Sequence, residues 1–132
     1  MPVQLEMVLR LLLAAVLGAI IGLQRESVGK PAGARTLGLI SVGSGLFGVT
    51  SMLGFSGGNP SMIAAGVVTG VGFLGAGAIL HRQGGVEGLT TAATIWVAAG
   101  IGLAAGAGLY FVAPAVTVIA LIILFLPHKD VR

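Results

Sequence analysis

Charged residues are scarce in this chain, and cysteine is absent. Only 8% of the 132 residues are charged and 56% are hydrophobic, whereas soluble domains carry about 25% charged residues. This composition predicts an integral membrane protein. The net charge of +3 is therefore better explained by membrane topology than by nucleic-acid binding. Because there is no cysteine, disulfides, thiolate metal sites and cysteine nucleophiles are excluded.

Motifs for catalysis and metal binding are lacking too. His81 and His128 are single histidines without a second ligand at metal-binding spacing, so we expect no metal site and no cofactor. No motif for hydrolysis, phosphoryl transfer or nucleophilic catalysis is present, so we expect no enzymatic activity and no catalytic residue. The run GVGFLG (70–75) matches the dinucleotide pattern GxGxxG, but it lies in an apolar segment without the required strand. It indicates close helix packing or a locally broken helix whose carbonyl groups line a cavity.

Apolar segments dominate what is present. A spanning helix needs about 20 mainly apolar residues, and five segments reach or approach that length. We therefore predict an all-α membrane protein with five transmembrane helices and a single domain over residues 1–132. Pro114 falls in the first turns of the fifth helix, where proline is tolerated. The predicted helices are 6–23, 36–55, 62–80, 89–107 and 109–126.

Basic residues lie on alternate connections between these helices. Six of the seven fall on one side of a five-helix arrangement, and the positive-inside rule assigns that side to the cytoplasm. We expect the N-terminus outside and the C-terminus in the cytoplasm. Arg10 is the exception, and we expect it to reach the outer headgroups beside Glu6. The six residues on the cytoplasmic side are Arg25, Lys30, Arg35, Arg82, Lys129 and Arg132.

Glycine is abundant, with 23 residues, and many glycines recur at every fourth position. Such small-residue faces allow helices to approach closely in lipid. We predict close packing on the first, third and fourth helices, within one protomer or between protomers. The residues assigned to this packing are Gly18, Gly22, Gly66, Gly70, Gly72, Gly75, Gly77, Gly102 and Gly106.

One charged segment, QRESVGKPAGART (24–36), interrupts the apolar runs. Isolated charges in hydrocarbon are very costly, so we expect this segment in water or in a protein-lined pocket. It is interpreted as a cytoplasmic turn with Thr36 as the N-cap of the second helix. Alternatively, Arg25, Lys30 and Arg35 hold an anionic lipid headgroup, a phosphate or an acidic partner segment, while Glu26 neutralises one arginine. Both interpretations stay open at this point.

A second polar cluster opens the fourth helix. Thr90, Thr91 and Thr94 either cap the helix and bond back to its carbonyl groups or line a polar pocket below the charged segment. In the second case Glu87 and His81 would stand at the rim of the pocket. Trp96 lies about two turns further in, and we expect it to pack between helices.

Three stretches together resemble the membrane domain of the MgtC/SapB family. They are IGLQRESVGKPAGARTLGLISVGSGLF (21–47), NPSMIAAGVVTGVGFLGAGAIL (59–80) and VEGLTTAATIWVAAGIGLAAGAGLY (86–110). The resemblance implies five membrane helices and a place in a bacterial or archaeal inner membrane. Family members include virulence-associated proteins linked to growth in low magnesium and survival in macrophages. The namesake is thought to regulate other membrane machinery, including ATP synthase, rather than to pump magnesium.

The motif matches fall on the residues singled out above, and the resemblance transfers no catalytic residue. The chain departs from the family pattern in lacking the common acid at Gln24 and the common histidine at Leu37. Where the chain has NPSM (59–62), the family often has Asp-Pro followed by Arg, and Gly66 often corresponds to a glutamine. These departures remove polar or charged side chains that a charge-dependent activity at the outer end of the third helix would use. Many relatives also carry a C-terminal soluble domain, which the resemblance does not cover.

Three functional hypotheses follow. The first is a non-enzymatic inner-membrane regulator that binds another membrane protein or anionic lipid and forms a homo-oligomer, with a dimer favoured. The second is a transporter or channel for a small solute or ion, with a path between the third and fourth helices lined by glycine and threonine. The third is a structural assembly module. The candidate binding residues are Arg25, Glu26, Lys30, Arg35, Thr36, Thr90, Thr91 and Thr94.

Overall fold

Five helices and one short hairpin make up the described chain. The computed structural model describes residues 2–55, 57, 59–82 and 85–127, with the backbone alone described at 80–82 and 85–87. The two strands pair antiparallel, and this hairpin is an addition to the predicted all-α fold. The elements are α1 (Val3–Ser27), α2 (Ala34–Leu53), α3 (Pro60–Gly77), β1 (Leu80–Arg82), β2 (Gly85–Glu87), α4 (Leu89–Gly106) and α5 (Val112–Leu124).

Helix α1 continues four residues beyond its predicted end, so Gln24 and Arg25 are helical. The prediction that the charged segment begins as a loop is wrong over residues 24–27, since Gln, Arg and Glu are good helix formers. The helix ends at Ser27, and Gly29, whose φ is +71°, follows the C-cap residue Val28. There the amide of Lys30 donates to the carbonyl of Arg25 at 2.9 Å and the amide of Gly29 donates to Glu26 at 3.1 Å. This pair of bonds is the Schellman pattern that glycine makes at helix ends.

Four of the five helices are long and apolar enough to cross a membrane, namely α1 to α4. Helix α5 has 13 residues, or about 20 Å, against about 30 Å of hydrocarbon. The predicted fifth span over 109–126 is therefore too long. Gly108, with φ +87°, starts the turn before α5. Pro114 lacks the N–H that would bond to the carbonyl of Tyr110, so regular helix begins only at Val112. Pro114 does lie in the first turn, as predicted.

Helices α1, α2 and α4 form the core, and α4 is its centre. Half of the 18 residues of α4 are buried, and small side chains allow the neighbouring helices to come close. The hydroxyl of Ser44 on α2 donates to the carbonyl of Ala99 on α4 at 2.6 Å in the interior. The larger buried core residues are Leu17, Ile21, Leu37, Ile95 and Ile101.

Helix α3 is continuous from Pro60 to Gly77 and stands at the margin of the bundle. Asn59 caps it by accepting the amide of Ser61 at 3.1 Å, with proline in the first turn. Only Val71 and Gly75 are buried on this helix. The interpretation of a locally broken third helix is therefore wrong, because an apolar segment with a good N-cap keeps its internal hydrogen bonds in lipid despite its glycines.

Candidate functional site

The C-terminal end of α1 and the N-terminal ends of α2 and α4 lie at one end of the bundle, called here the basic end. Arg25 in the last turns of α1 reaches the first turn of α4. Its Nη2 donates to Oγ1 of Thr91 at 2.8 Å, and the two residues are 4% and 3% exposed. The structure thus joins one residue from each predicted polar cluster in a buried contact.

Glu26 has a different partner from the one predicted. Its Oε2 accepts the backbone N–H of Ala34 at 2.6 Å, so it caps α2, and among the described side chains it pairs with no arginine. The N-cap of α2 is Gly33, and Thr36 is an exposed residue in the first turn. The prediction of Thr36 as the N-cap is wrong, because the carboxylate of Glu26 already satisfies the positive end of the helix.

Replacing Glu26 with glutamine is expected to destabilise the protein by up to about 1 kcal/mol, since the charged cap contribution is lost while an amide oxygen still accepts. Glu26→Ala should cost more than Glu26→Gln, because alanine cannot accept the Ala34 amide. Thermal unfolding in neutral detergent checks this order. Equal stability of both variants and the native chain would show that the cap contributes nothing measurable.

Lys30 and Arg35 are exposed, in contrast to buried Arg25. The three basic residues therefore do not form a single cradle for an anion, as one sequence interpretation suggested. Lys30 follows the glycine turn at the end of α1, and Arg35 is the second residue of α2. Both side chains are available to a partner outside the bundle.

The threonines at the start of α4 divide between the two predicted roles. Thr94 is buried, and its hydroxyl donates to the carbonyl of Thr90 at 2.7 Å, which is the back-bonding interpretation. Thr90 itself is exposed. Only Thr91 has its hydroxyl against the guanidinium of Arg25. The predicted rim residues, Glu87 and His81, have side chains outside the described part.

The glycines assigned to packing fall into two groups. On α1 and α4 they stand against other helices: a Cβ on Gly18 would lie 2.7 Å from Cβ of Ser41, and one on Gly106 would lie 2.7 Å from the carbonyl oxygen of Gly45. Gly22 on α1 likewise contacts the start of α2, and Gly102 on α4 contacts Ser41 on α2. On α3, a Cβ on Gly75 would lie 3.3 Å from the carbonyl oxygen of Ala92 on α4. By contrast, a Cβ would meet nothing within 4 Å at Gly66, Gly70, Gly72 and Gly77. Packing of these four between protomers, including the dimer, stays a prediction.

Arg10 lies at the opposite end of the bundle. The sequence analysis predicted that its side chain reaches the outer lipid headgroups. Its guanidinium donates to Glu6 at 2.9 Å, to the carbonyl of Gly106 at 3.0 Å and to the hydroxyl of Tyr110 at 3.0 Å. The ion pair with Glu6 was expected, but the side chain is only 16% exposed. Three protein acceptors therefore hold the guanidinium, and its approach to the outer headgroups stays a prediction. Gly108 lies next to the guanidinium, and a Cβ there would be 3.0 Å from Cζ of Arg10. This glycine was the feature of the sequence that could have indicated the contact.

Two apolar grooves flank the outward face of α4 beside α3. One has a volume of about 370 Å³ and is lined by α3, α4 and α5, with Val67, Trp96 and Val116 among its residues. The other, about 420 Å³, is lined by α2, α3 and α4, and Ser61 is its only hydroxyl. Trp96 is 54% exposed, so the expectation that it packs between helices is wrong. The predicted polar threonines do not line either groove.

Four apolar helices of spanning length define a multi-pass membrane protein. The sequence model of the MgtC family matches residues 11–130, and the chain belongs to this family. It is 47% identical to the Escherichia coli K12 protein named "Putative magnesium transporter YhiD", over 94% of this chain and 61% of that protein. It is 46% identical to "Protein MgtC" of Salmonella typhimurium LT2, over 86% of this chain and 49% of that protein.

An uncharacterized protein of Haemophilus influenzae is 44% identical, over 86% of this chain and 52% of that protein. The chain therefore spans about half to three fifths of the length of the curated relatives it matches. No solved structure matches the chain. Family membership confirms the resemblance that the three sequence stretches carried.

Proposed function

We propose that this protein is a non-enzymatic regulatory protein of the bacterial inner membrane. It binds another membrane protein through Lys30 and Arg35, with the basic end of the bundle in the cytoplasm. The observation that carries the proposal is the exposure of these two basic side chains on a short connection that hydrogen bonds hold in place.

The connection between α1 and α2 is fixed at both ends. The Schellman bonds at Gly29 fix its start, and the 2.6 Å bond from Ala34 to Glu26 fixes its end. A preorganised connection loses little entropy when a partner binds. Lys30 and Arg35 then present positive charge at defined positions, which favours an acidic segment of a partner.

Transport is the rival function, and it is the one printed in the name of the Escherichia coli relative. Dehydrated magnesium is bound through carboxylates and other oxygen ligands. The grooves beside α3 are lined almost entirely by apolar residues, and α3 is unbroken. These observations favour the regulatory proposal over a polar path between α3 and α4. Magnesium uptake by proteoliposomes that Gly75→Leu abolishes would instead support transport.

The proposal predicts that Lys30→Ala with Arg35→Ala loses its partner. Affinity purification from native membranes should recover a stoichiometric membrane protein with the native chain and at least about tenfold less of it with the double variant, since two interfacial charges are removed. Both side chains are exposed, so the variant should keep the fold of the bundle.

The matched control is Lys30→Arg with Arg35→Lys, which keeps both charges. We expect it to recover the partner nearly as well as the native chain. Equal recovery by the alanine variant, at equal membrane abundance, would show that these two residues do not form the docking surface.

A further inference from the structure

Arg25 is a buried charge with unsatisfied hydrogen-bonding capacity. It is 4% exposed, and its Nη2 donates to Thr91. Its Nε has no partner among the described residues, and neither has Oε1 of the adjacent Gln24, which is 8% exposed. Burying a cation is costly unless an opposite charge or several acceptors compensate it. A single neutral hydroxyl is weak compensation.

The N-terminus of α4 adds positive potential at the same point. The N-cap residue of this helix is Gly88, and no side chain that the structure describes bonds to the free amides of the first turn. Its first helical bond runs from Ala92 to the carbonyl of Gly88 at 2.9 Å. The amides of Leu89, Thr90 and Thr91 precede that bond and point out of the helix end. A helix N-terminus attracts anions, but here the charged group that bonds to the first turn is the Arg25 guanidinium, which has the same sign as the helix end.

The carboxylates with described side chains are engaged elsewhere. Glu26 caps α2 through Ala34, and Glu6 pairs with Arg10 at the other end of the bundle. The start of α4 is accessible, since Leu89 is 59% exposed and Thr90 is exposed as well. An anion from the aqueous boundary can therefore reach the start of the helix, where Arg25 bonds to the hydroxyl of Thr91 in the first turn.

We propose that the Arg25 guanidinium and the N-terminus of α4 form a binding site for a phosphate group. The phosphate belongs to an anionic phospholipid or to free inorganic phosphate. A tetrahedral oxyanion has enough acceptor oxygens to meet the planar fork of arginine and the helix amides together. Charge-assisted bonds of this kind are stronger than neutral ones. The site is distinct from the surface formed by Lys30 and Arg35.

The test uses the whole chain in a neutral detergent. Inorganic phosphate is titrated against chloride at equal ionic strength while thermal unfolding is followed, because a ligand that binds the folded state raises its Tm. In parallel, native mass spectrometry of protein released from nanodiscs compares retention of phosphatidylglycerol with that of phosphatidylcholine. Arg25→Gln should weaken whichever binding is found by at least about tenfold.

The outcomes separate the two sources of phosphate. A rise in Tm with inorganic phosphate that Arg25→Gln abolishes supports a site for the free anion. Retention of phosphatidylglycerol, lost in Arg25→Gln, supports a lipid site. If Arg25→Gln fails to fold, Arg25→Lys keeps the charge, lacks the planar fork, and should still lose most of the binding.

Three results would overturn the proposal. The first is no phosphate effect and no preference for phosphatidylglycerol in the native chain. The second is an equal loss in Arg35→Gln, which would indicate general charge attraction. The third is that Glu87→Gln lowers Tm as much as Arg25→Gln while phosphate has no effect. The carboxylate of Glu87 would then be the counter-charge of Arg25, and no external anion would be needed. The partner test on Lys30 and Arg35 is independent of all three.

Discussion

Replacing Gly102 with leucine is expected to prevent the bundle from folding. A Cβ at this position would overlap the carbonyl oxygen of Ser41 and lie 2.6 Å from its carbonyl carbon. The obstacle is backbone on α2, which cannot rotate away as a side chain can. Forcing extra atoms into a packed interior typically costs about 1–3 kcal/mol, and a leucine here needs α2 and α4 to separate, so we expect a loss above that range.

The matched control for this prediction is Gly100→Leu. It places the same side chain on the same helix, but a Cβ there meets nothing within 4 Å. We expect native yield and a native melting temperature for Gly100→Leu, and aggregated or degraded protein for Gly102→Leu. Gly102→Ala should be intermediate. Size-exclusion profiles and thermal unfolding in neutral detergent measure the difference, and equal behaviour of the two leucine variants would refute the assigned packing.

Spacing alone could not tell this glycine from its exposed counterparts. A small residue at every fourth position predicts that a helix can be approached closely, but it does not say which helix approaches. Gly102 meets α2, whereas Gly66 and Gly70 on α3 have the same spacing and open surroundings. The choice depends on which helices pack together, and that follows from the tertiary arrangement of the whole chain.

The helix number followed from hydropathy, but the ends did not. Gly29 adopts the left-handed conformation, with φ at +71°. A glycine in this conformation commonly terminates a helix, and here it terminates α1. Hydropathy placed the end earlier because it treats a charged residue as a boundary. Arg25 shows why this fails: the protein itself surrounds its charge, so the helix continues past it.

The candidate site was predictable in its residues and not in its contacts. Arg25 and Thr91 were both singled out from the sequence, but 66 positions separate them, and no local rule pairs them. Glu26 was expected to pair with an arginine. It bonds to Ala34 instead, because the turn brings the start of α2 within reach of its carboxylate.

The second large effect is expected from Arg10→Met. The guanidinium joins three elements: Glu6 on α1, the carbonyl of Gly106 at the end of α4, and Tyr110 before α5. Methionine keeps much of the apolar stem but removes every donor. Hydrogen bonds to charged groups contribute about 1.5–3 kcal/mol each to stability, but bonds made by one side chain are not additive. Because the Arg10 side chain is also partly exposed, we expect Arg10→Met to lower the free energy of unfolding by about 2–4 kcal/mol in total.

Two further variants separate the contributions of these bonds. Tyr110→Phe removes one acceptor and should cost about 1 kcal/mol, whereas Arg10→Lys keeps the charge but not the planar fork and should fall between the other two. In a double-mutant cycle, Tyr110→Phe should cost little once Arg10 is methionine, because the two residues share one bond. Unfolding in mixed micelles measures the native chain and the four variants. Additive losses would show that the bond between Arg10 and Tyr110 does not stabilise the fold, and that Arg10 acts through α1 and α4 alone.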